Sequence, residues 1–228
     1  MTTSWRTGSH ARRWVLLAVA LALVVTGTVL LATGWSRQQP APPQAPPAEA
    51  HDDSGGAAPA ESEPPAKGKG PHARPAMPAS SPERIRIPSL DVSSSLERLG
   101  LDDKQAMETP RNPDKAGWYE RGTAPGSRGP AVIAGHVTWN GAPSVFYRLG
   151  KLKRGDDIEI VRRDGRTAVF TVERTERYPK KDFPTVEVYR NLRHAGLRLI
   201  TCGGNYSAED RYYSDNVVVF ASLTSSHR

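Results

Sequence analysis

The pattern of apolar and polar positions divides the chain into three unlike parts. From Trp14 to Trp35 the sequence reads WVLLAVALALVVTGTVLLATGW, an apolar run without a charge. About 20 such residues suffice to cross a hydrocarbon core roughly 30 Å thick. Tryptophans bracket the run, as amphipathic rings do at the two membrane interfaces. The pattern predicts a transmembrane helix over 14–35. The competing reading is a cleaved signal peptide, whose apolar region would be about 7–15 residues long before a small-x-small site such as Ala32-Thr33-Gly34. The greater length of this run favours a retained anchor. Arg6, Arg12 and Arg13 precede it and only Arg37 follows closely, so the positive-inside bias places residues 1–13 in the cytoplasm and the remainder outside, a single-pass protein of the cell membrane.

Periodicity is lost from Ser36 to Ser80. This stretch holds 11 of the 20 prolines and no Phe, Trp or Tyr. Such a composition buries too little apolar surface to offset the entropy of ordering it, and predicts a disordered, semi-extended tether over 36–80.

A two-residue period begins near Ser81. ERIRIP (Glu83 to Pro88) alternates polar and apolar residues, and AVIAGHV (Ala131 to Val137) is a short apolar run. Ile158 to Arg162 and Thr167 to Arg177 read as the arms of a hairpin turned by Asp164-Gly165. GLRLITC and NVVVFASL (Asn216 to Leu223) complete the set, with Gly or Pro at nearly every junction. Helical spacing is weak, with short turns expected around Ala142 to Leu149 and Val186 to Leu192. Six or more short strands at this spacing predict an all-β domain over 81–228, an antiparallel barrel or sandwich.

Charge alters this picture little. The domain carries 24 Lys and Arg against 19 Asp and Glu, interspersed rather than in one-signed tracts. No basic stripe with stacking aromatics marks a nucleic-acid module. No Cys/His set at ligand spacing suggests a metal, and no cofactor is implied.

The candidate chemistry turns on Cys202, the only cysteine. An exported domain meets oxidising conditions in which cysteines usually pair. Without a partner in the chain, Cys202 is an inert buried thiol, a link to another chain or a nucleophile. Thiolate is the attacking form, and a nearby imidazolium makes it available. His136 and His194 are the histidines of the folded part. His136 ends VIAGH as Cys202 ends RLIT, two reactive side chains at the ends of apolar strands, whereas His194 lies in polar NLRHAG and reads as a loop residue. Arg211, just before the last strand, could bring a guanidinium to an oxyanion.

LRLITCGG resembles the TLxTC signature of sortases, with Arg198 in place of the first threonine. PAVIAGHV resembles the histidine strand of that family and RYYSDNVVVFA its final strand. The order AGWYERGTAPGSRGPAVIAGHV, FYRLGKLKRGD, RYPKKDFP, LRLITCGG, DNVVVFA is similar in particular to class F sortases of actinobacteria. The resemblance covers about Arg84 to Leu223. It implies an eight-stranded closed β-barrel with short helices in its loops, and a cysteine transpeptidase in which His136, Cys202 and Arg211 map onto a His-Cys-Arg triad, with Arg198 as the alternative arginine. Thr201, Ile133 and Ala134 are the expected substrate-binding neighbours, and the RYPKKDFPTVEVYRN stretch is the expected substrate-facing wall. The implied partners are secreted proteins bearing LPXTG-like sorting signals and an amine acceptor such as a peptidoglycan precursor, with water competing. Two other functions fit an exported cysteine and histidine on a β-rich body: an L,D-transpeptidase, whose SxGC motif LITCGG does not match, and a wall-associated scaffold with a sortase fold and no activity.

Overall fold

The computed structural model describes residues 41–48 and 74–228. The predicted span 14–35 and most of the predicted tether lie outside them. Among the described residues no helix is long and apolar enough to cross a membrane.

Among the described residues ten strands form: β1 (Pro82–Ile87), β2 (Val92–Leu99), β3 (Ala116–Tyr119), β4 (Gly129–Ala134), β5 (Thr138–Trp139), β6 (Ala142–Pro143), β7 (Asp157–Arg162), β8 (Thr167–Pro179), β9 (Ala195–Ser207) and β10 (Tyr212–His227). Eight of them close a barrel in the order β1-β2-β3-β4-β9-β10-β8-β7, and β5 and β6 pair separately. Alternation decides which side chains enter it. In β1, Ile85 and Ile87 have no exposed surface, while Arg86 faces out and pairs with Glu159. From β7 and β8, Ile158, Ile160 and Phe170 meet them inside. Each such side chain contributes about 1.5–3 kcal/mol by leaving water.

β9 is buried on both faces. Leu197 and Leu199 point into the barrel. Ile200 points outward, into a second cluster with Val132, Val188, Val218 and Phe220. Val188 belongs to a short helix, α1 (Thr185–Tyr189), which covers the outer face of β9 and β10. Every residue of LRLIT is accordingly buried, Arg198 and Thr201 included.

The Asp164-Gly165 hairpin forms as expected, with Gly165 at φ +74°. Two strand pairs, β2–β3 and β4–β9, are parallel rather than antiparallel. Their partners are joined by crossovers, not by hairpins. No helix forms over 142–149. Gly141 at φ +78° and Pro143 make the β5–β6 hairpin, and a single 3-10 turn follows at Leu149–Lys151.

The region expected to be a tether is partly seated on the barrel. Met77 is buried and donates its N–H to Gly126 O. Pro42–Ala48 runs along the free edge of β8: Arg177 N–H donates to Pro46 O (2.9 Å) and Ala48 N–H to Arg177 O (3.0 Å), with Ala45 only 2% exposed. These segments gain partners that composition alone does not show.

Candidate active site

The site begins with the parallel pairing of β4 and β9. From Gly129↔Ala195 to Ala134↔Ile200 the partners keep a constant offset of 66 residues. The pairing continues past the end of β4, because Gly135 N–H donates to Ile200 O (3.1 Å) and Thr201 Oγ1 donates to Gly135 O (2.8 Å). His136 follows the last paired residue of β4, Ala134, by two positions, as Cys202 follows Ile200. Parallel neighbours lie about 4.8 Å apart with matching faces, and Cys202 shares the outward face of Ile200 on β9.

The two glycines after the cysteine have separate causes. A side chain at Gly203 would meet Val217 Cγ2 at 2.8 Å. Gly204 takes φ +77°, and a Cβ there would strike Ser214 and Asp215. The β9–β10 register shifts here, between Tyr213 and Asp215. One extra residue is thereby accommodated on β9, a bulge that bends the strand immediately beyond the thiol.

Cys202 is half-buried and free. His136 is also half-buried. Its Nε2 lies 2.7 Å from Pro110 O. A carbonyl only accepts, so Nε2 carries a proton and Nδ1 is the nitrogen left for exchange. Trp139 packs against the ring at 5.1 Å between centroids. Glu97 holds the segment carrying Pro110, its carboxylate accepting from Arg111 N–H (2.8 Å) and Asn112 N–H (3.2 Å).

A groove of about 730 Å³ opens on the same outer face. Pro130 and Val132 of β4 form its floor, with Met107 and Tyr119 on one side and Phe183 and Tyr189 on the other. Arg174 pairs with Glu187 and stacks at 3.6 Å on Phe220, which ties α1 to the barrel. The 178–191 stretch is thus a wall, as its prolines suggested. The opposite wall, from the segment after β2, gave no signal in the sequence because Leu101 to Met107 has no periodicity.

The expected site residues divide. Cys202 lies on β9, and His136 lies two residues beyond the end of the adjacent β4. Thr201 is buried and spends its hydroxyl on joining β9 to the end of β4. Ala134 is 7% exposed, beside Ile200. Ile133 faces the barrel core with no exposed surface, and its neighbour Val132 meets the groove instead. Arg211 sits exposed at φ +52° in the turn between β9 and β10. Its neighbour Tyr212 pairs with Ser207, five residues past Cys202, roughly 16 Å along an extended strand. Arg198 shares the outward face of Ile200 but is buried, with Nη1 donating to Leu197 O and its guanidinium over Phe220. Burial, reinforced by Arg174, lowers its pKa to about 10, so it remains a cation at neutral pH. His194 is a loop residue whose carbonyl accepts from Gly129 N–H. The residue that β10 sets opposite Cys202 is Asn216, which the sequence did not single out. Among the described residues no cluster of His, Cys, Asp and Glu could hold a metal.

The barrel is closed, and its lone cysteine lies on the strand paired with the one that leads to His136. The sortase domain model matches residues 85–224, and the chain belongs to the sortase family, whose members are cysteine transpeptidases. Among solved structures, sortase A of Listeria monocytogenes is similar at 21% identity and a TM-score of 0.49, over 66% of this chain and 90% of that one. Sortase A of Corynebacterium diphtheriae is similar at 22% identity and 0.48, over 65% and 61%. A sortase of Actinomyces oris is similar at 18% identity and 0.49, over 68% and 88%. No curated protein matches the chain.

Proposed function

We propose that this protein is a membrane-anchored sortase, of the class F kind, that cuts an LPXTG-like sorting signal between Thr and Gly. Cys202 Sγ attacks the threonine carbonyl carbon. The tetrahedral intermediate collapses, the C–N bond breaks, and the departing glycine amine takes a proton from His136. An acyl thioester remains on Cys202. An acceptor amine, such as that of a peptidoglycan precursor, or water then attacks it and gives a proton back to His136 as the thiolate leaves. The groove over Val132 takes the residues before the scissile bond, and its apolar walls suit the leucine and proline of such a signal. The observation that supports this reading is the 66-residue offset of the paired β4 and β9, strands that lead to His136 and carry Cys202 respectively. The scaffold reading gains nothing from it, since a structural cysteine needs no partner at the rim.

The test is incubation of the full chain with LPXTG-like peptides, followed by intact mass. An adduct equal to the acyl fragment is expected on Cys202, and Cys202→Ala should abolish both adduct and cleavage. Cleavage that survives Cys202→Ala removes the proposal.

A further inference from the structure

A thioester route needs a donor for the oxyanion, and neither arginine suggested by the sequence stands beside the thiol. We propose that Asn216 fills this role, its side-chain amide donating to the oxyanion formed when Cys202 attacks; the inference rests on the thioester reading above.

β10 pairs antiparallel with β9, and Asn216 lies directly opposite Cys202. Residues so paired share a face, with Cβ atoms about 4.5–5.5 Å apart. β4 flanks β9 on the other side, and His136 follows its last residue by two positions. Thiol and carboxamide therefore stand in one row on the outer face. Asn216 is half-buried, and its amide has no hydrogen-bond partner among the described residues. Its neighbours are committed elsewhere. Ser214 Oγ accepts from Asn205 N–H, and Asp215 is paired with Arg177 at 3.3 Å. Asp215 is also anionic and would repel an oxyanion. The carboxamide of Asn216 is the uncommitted donor in the row. A neutral amide can do this work: one such donor, preorganised at an oxyanion, is worth about 10²–10³ in kcat.

The experiment compares the full chain with Asn216→Ala, Asn216→Leu and Asn216→Gln, using an LPXTG-like peptide and reading kcat and KM. In parallel, iodoacetamide labelling of Cys202 is timed, because alkylation passes through no oxyanion. The expected result is a loss of about 10²–10³ in kcat for the Ala and Leu variants, KM within about threefold, and unchanged labelling rate and thermal midpoint. Gln, which carries the same amide one methylene further, should retain more activity than either. The proposal is overturned if Asn216→Ala keeps kcat within about threefold of the parent. It is equally overturned if labelling slows in step with kcat, or if Gln recovers nothing, since either result assigns Asn216 a structural role. A hundredfold loss in Arg211→Ala beside an active Asn216→Ala would hand the oxyanion to the turn arginine. If the parent forms no thioester, the underlying reading fails first, and is distinguished by that result.

Discussion

His136 reaches its place through backbone supports rather than through any side chain that the motif displays. Pro110 O fixes Nε2, and the carboxylate of Glu97 fixes the segment around Pro110. Removing that carboxylate frees two N–H groups and lets the ring turn away from Cys202. Glu97→Ala is expected to lower kcat/KM by about tenfold, with Glu97→Gln keeping part of it, since misplacement by a fraction of an ångström is costly in a reacting pair. Peptide cleavage kinetics measure this, and an unchanged kcat/KM would detach Glu97 from the site. Cys202 and His136 were legible because each is a reactive residue at the end of an apolar run. Asn216 was not. Its pairing depends on the length of the turn at 208–211 and on the single-residue shift at Gly204, and neither count can be read from composition or period.

At the level of elements, local signals served well and distant ones did not. The Asp164-Gly165 turn and the alternation of β1 lie within a few residues, and both formed as the pattern implies. The parallel β4–β9 pair joins segments 66 residues apart, and no local pattern encodes that choice. The proline-rich segment Pro42–Ala48, which touches β8 as a strand would, was illegible for another reason. It has no period, and its order comes from the edge of β8 and from Gly204 N–H, which donates to Gln44 Oε1 at 2.7 Å. Its hold centres on Ala45, which has no room for a charge. Ala45→Glu would bury an unpaired carboxylate at a cost of several kcal/mol, so the segment should detach instead. Hydrogen exchange at the amides of Arg177 and Gly204 is then expected to accelerate by about tenfold or more, while amides within β4 and β9 stay protected. Equal exchange in parent and variant would show that the segment does not shield those groups.

The closed barrel as a whole was reached through resemblance, because alternation alone also allows a sandwich. Composition turns globular near Ser81, but residues before it also pack on the barrel, Pro42–Ala48 and Met77 among them. For Met77 the reason is Arg162. This side chain is fully buried at the end of β7, and its guanidinium donates to Pro125 O (3.0 Å), Pro78 O (2.6 Å) and Asp164 Oδ2 (2.8 Å), with Met77 Sδ at 3.2 Å. Two of these four partners lie before residue 81. A chain beginning at Ser81 would open the pocket to solvent, take one acceptor from a buried cation and lose the burial of Met77. A hydrogen bond to a charged group is worth about 1.5–3 kcal/mol, and a buried methionine contributes about as much. Against a chain beginning at Arg74, the shorter form should be less stable by at least about 2 kcal/mol, which for a domain of this size lowers the melting midpoint by roughly 4–8 °C. Thermal unfolding of the two forms decides the matter. Arg162→Met supplies the complementary case, because it removes the cation that needs those carbonyls: with methionine at 162, the penalty for starting at 81 should shrink to the packing of Met77 alone. Equal midpoints for the two lengths in the parent sequence would mean that residues 74–80 rest on the barrel without holding it.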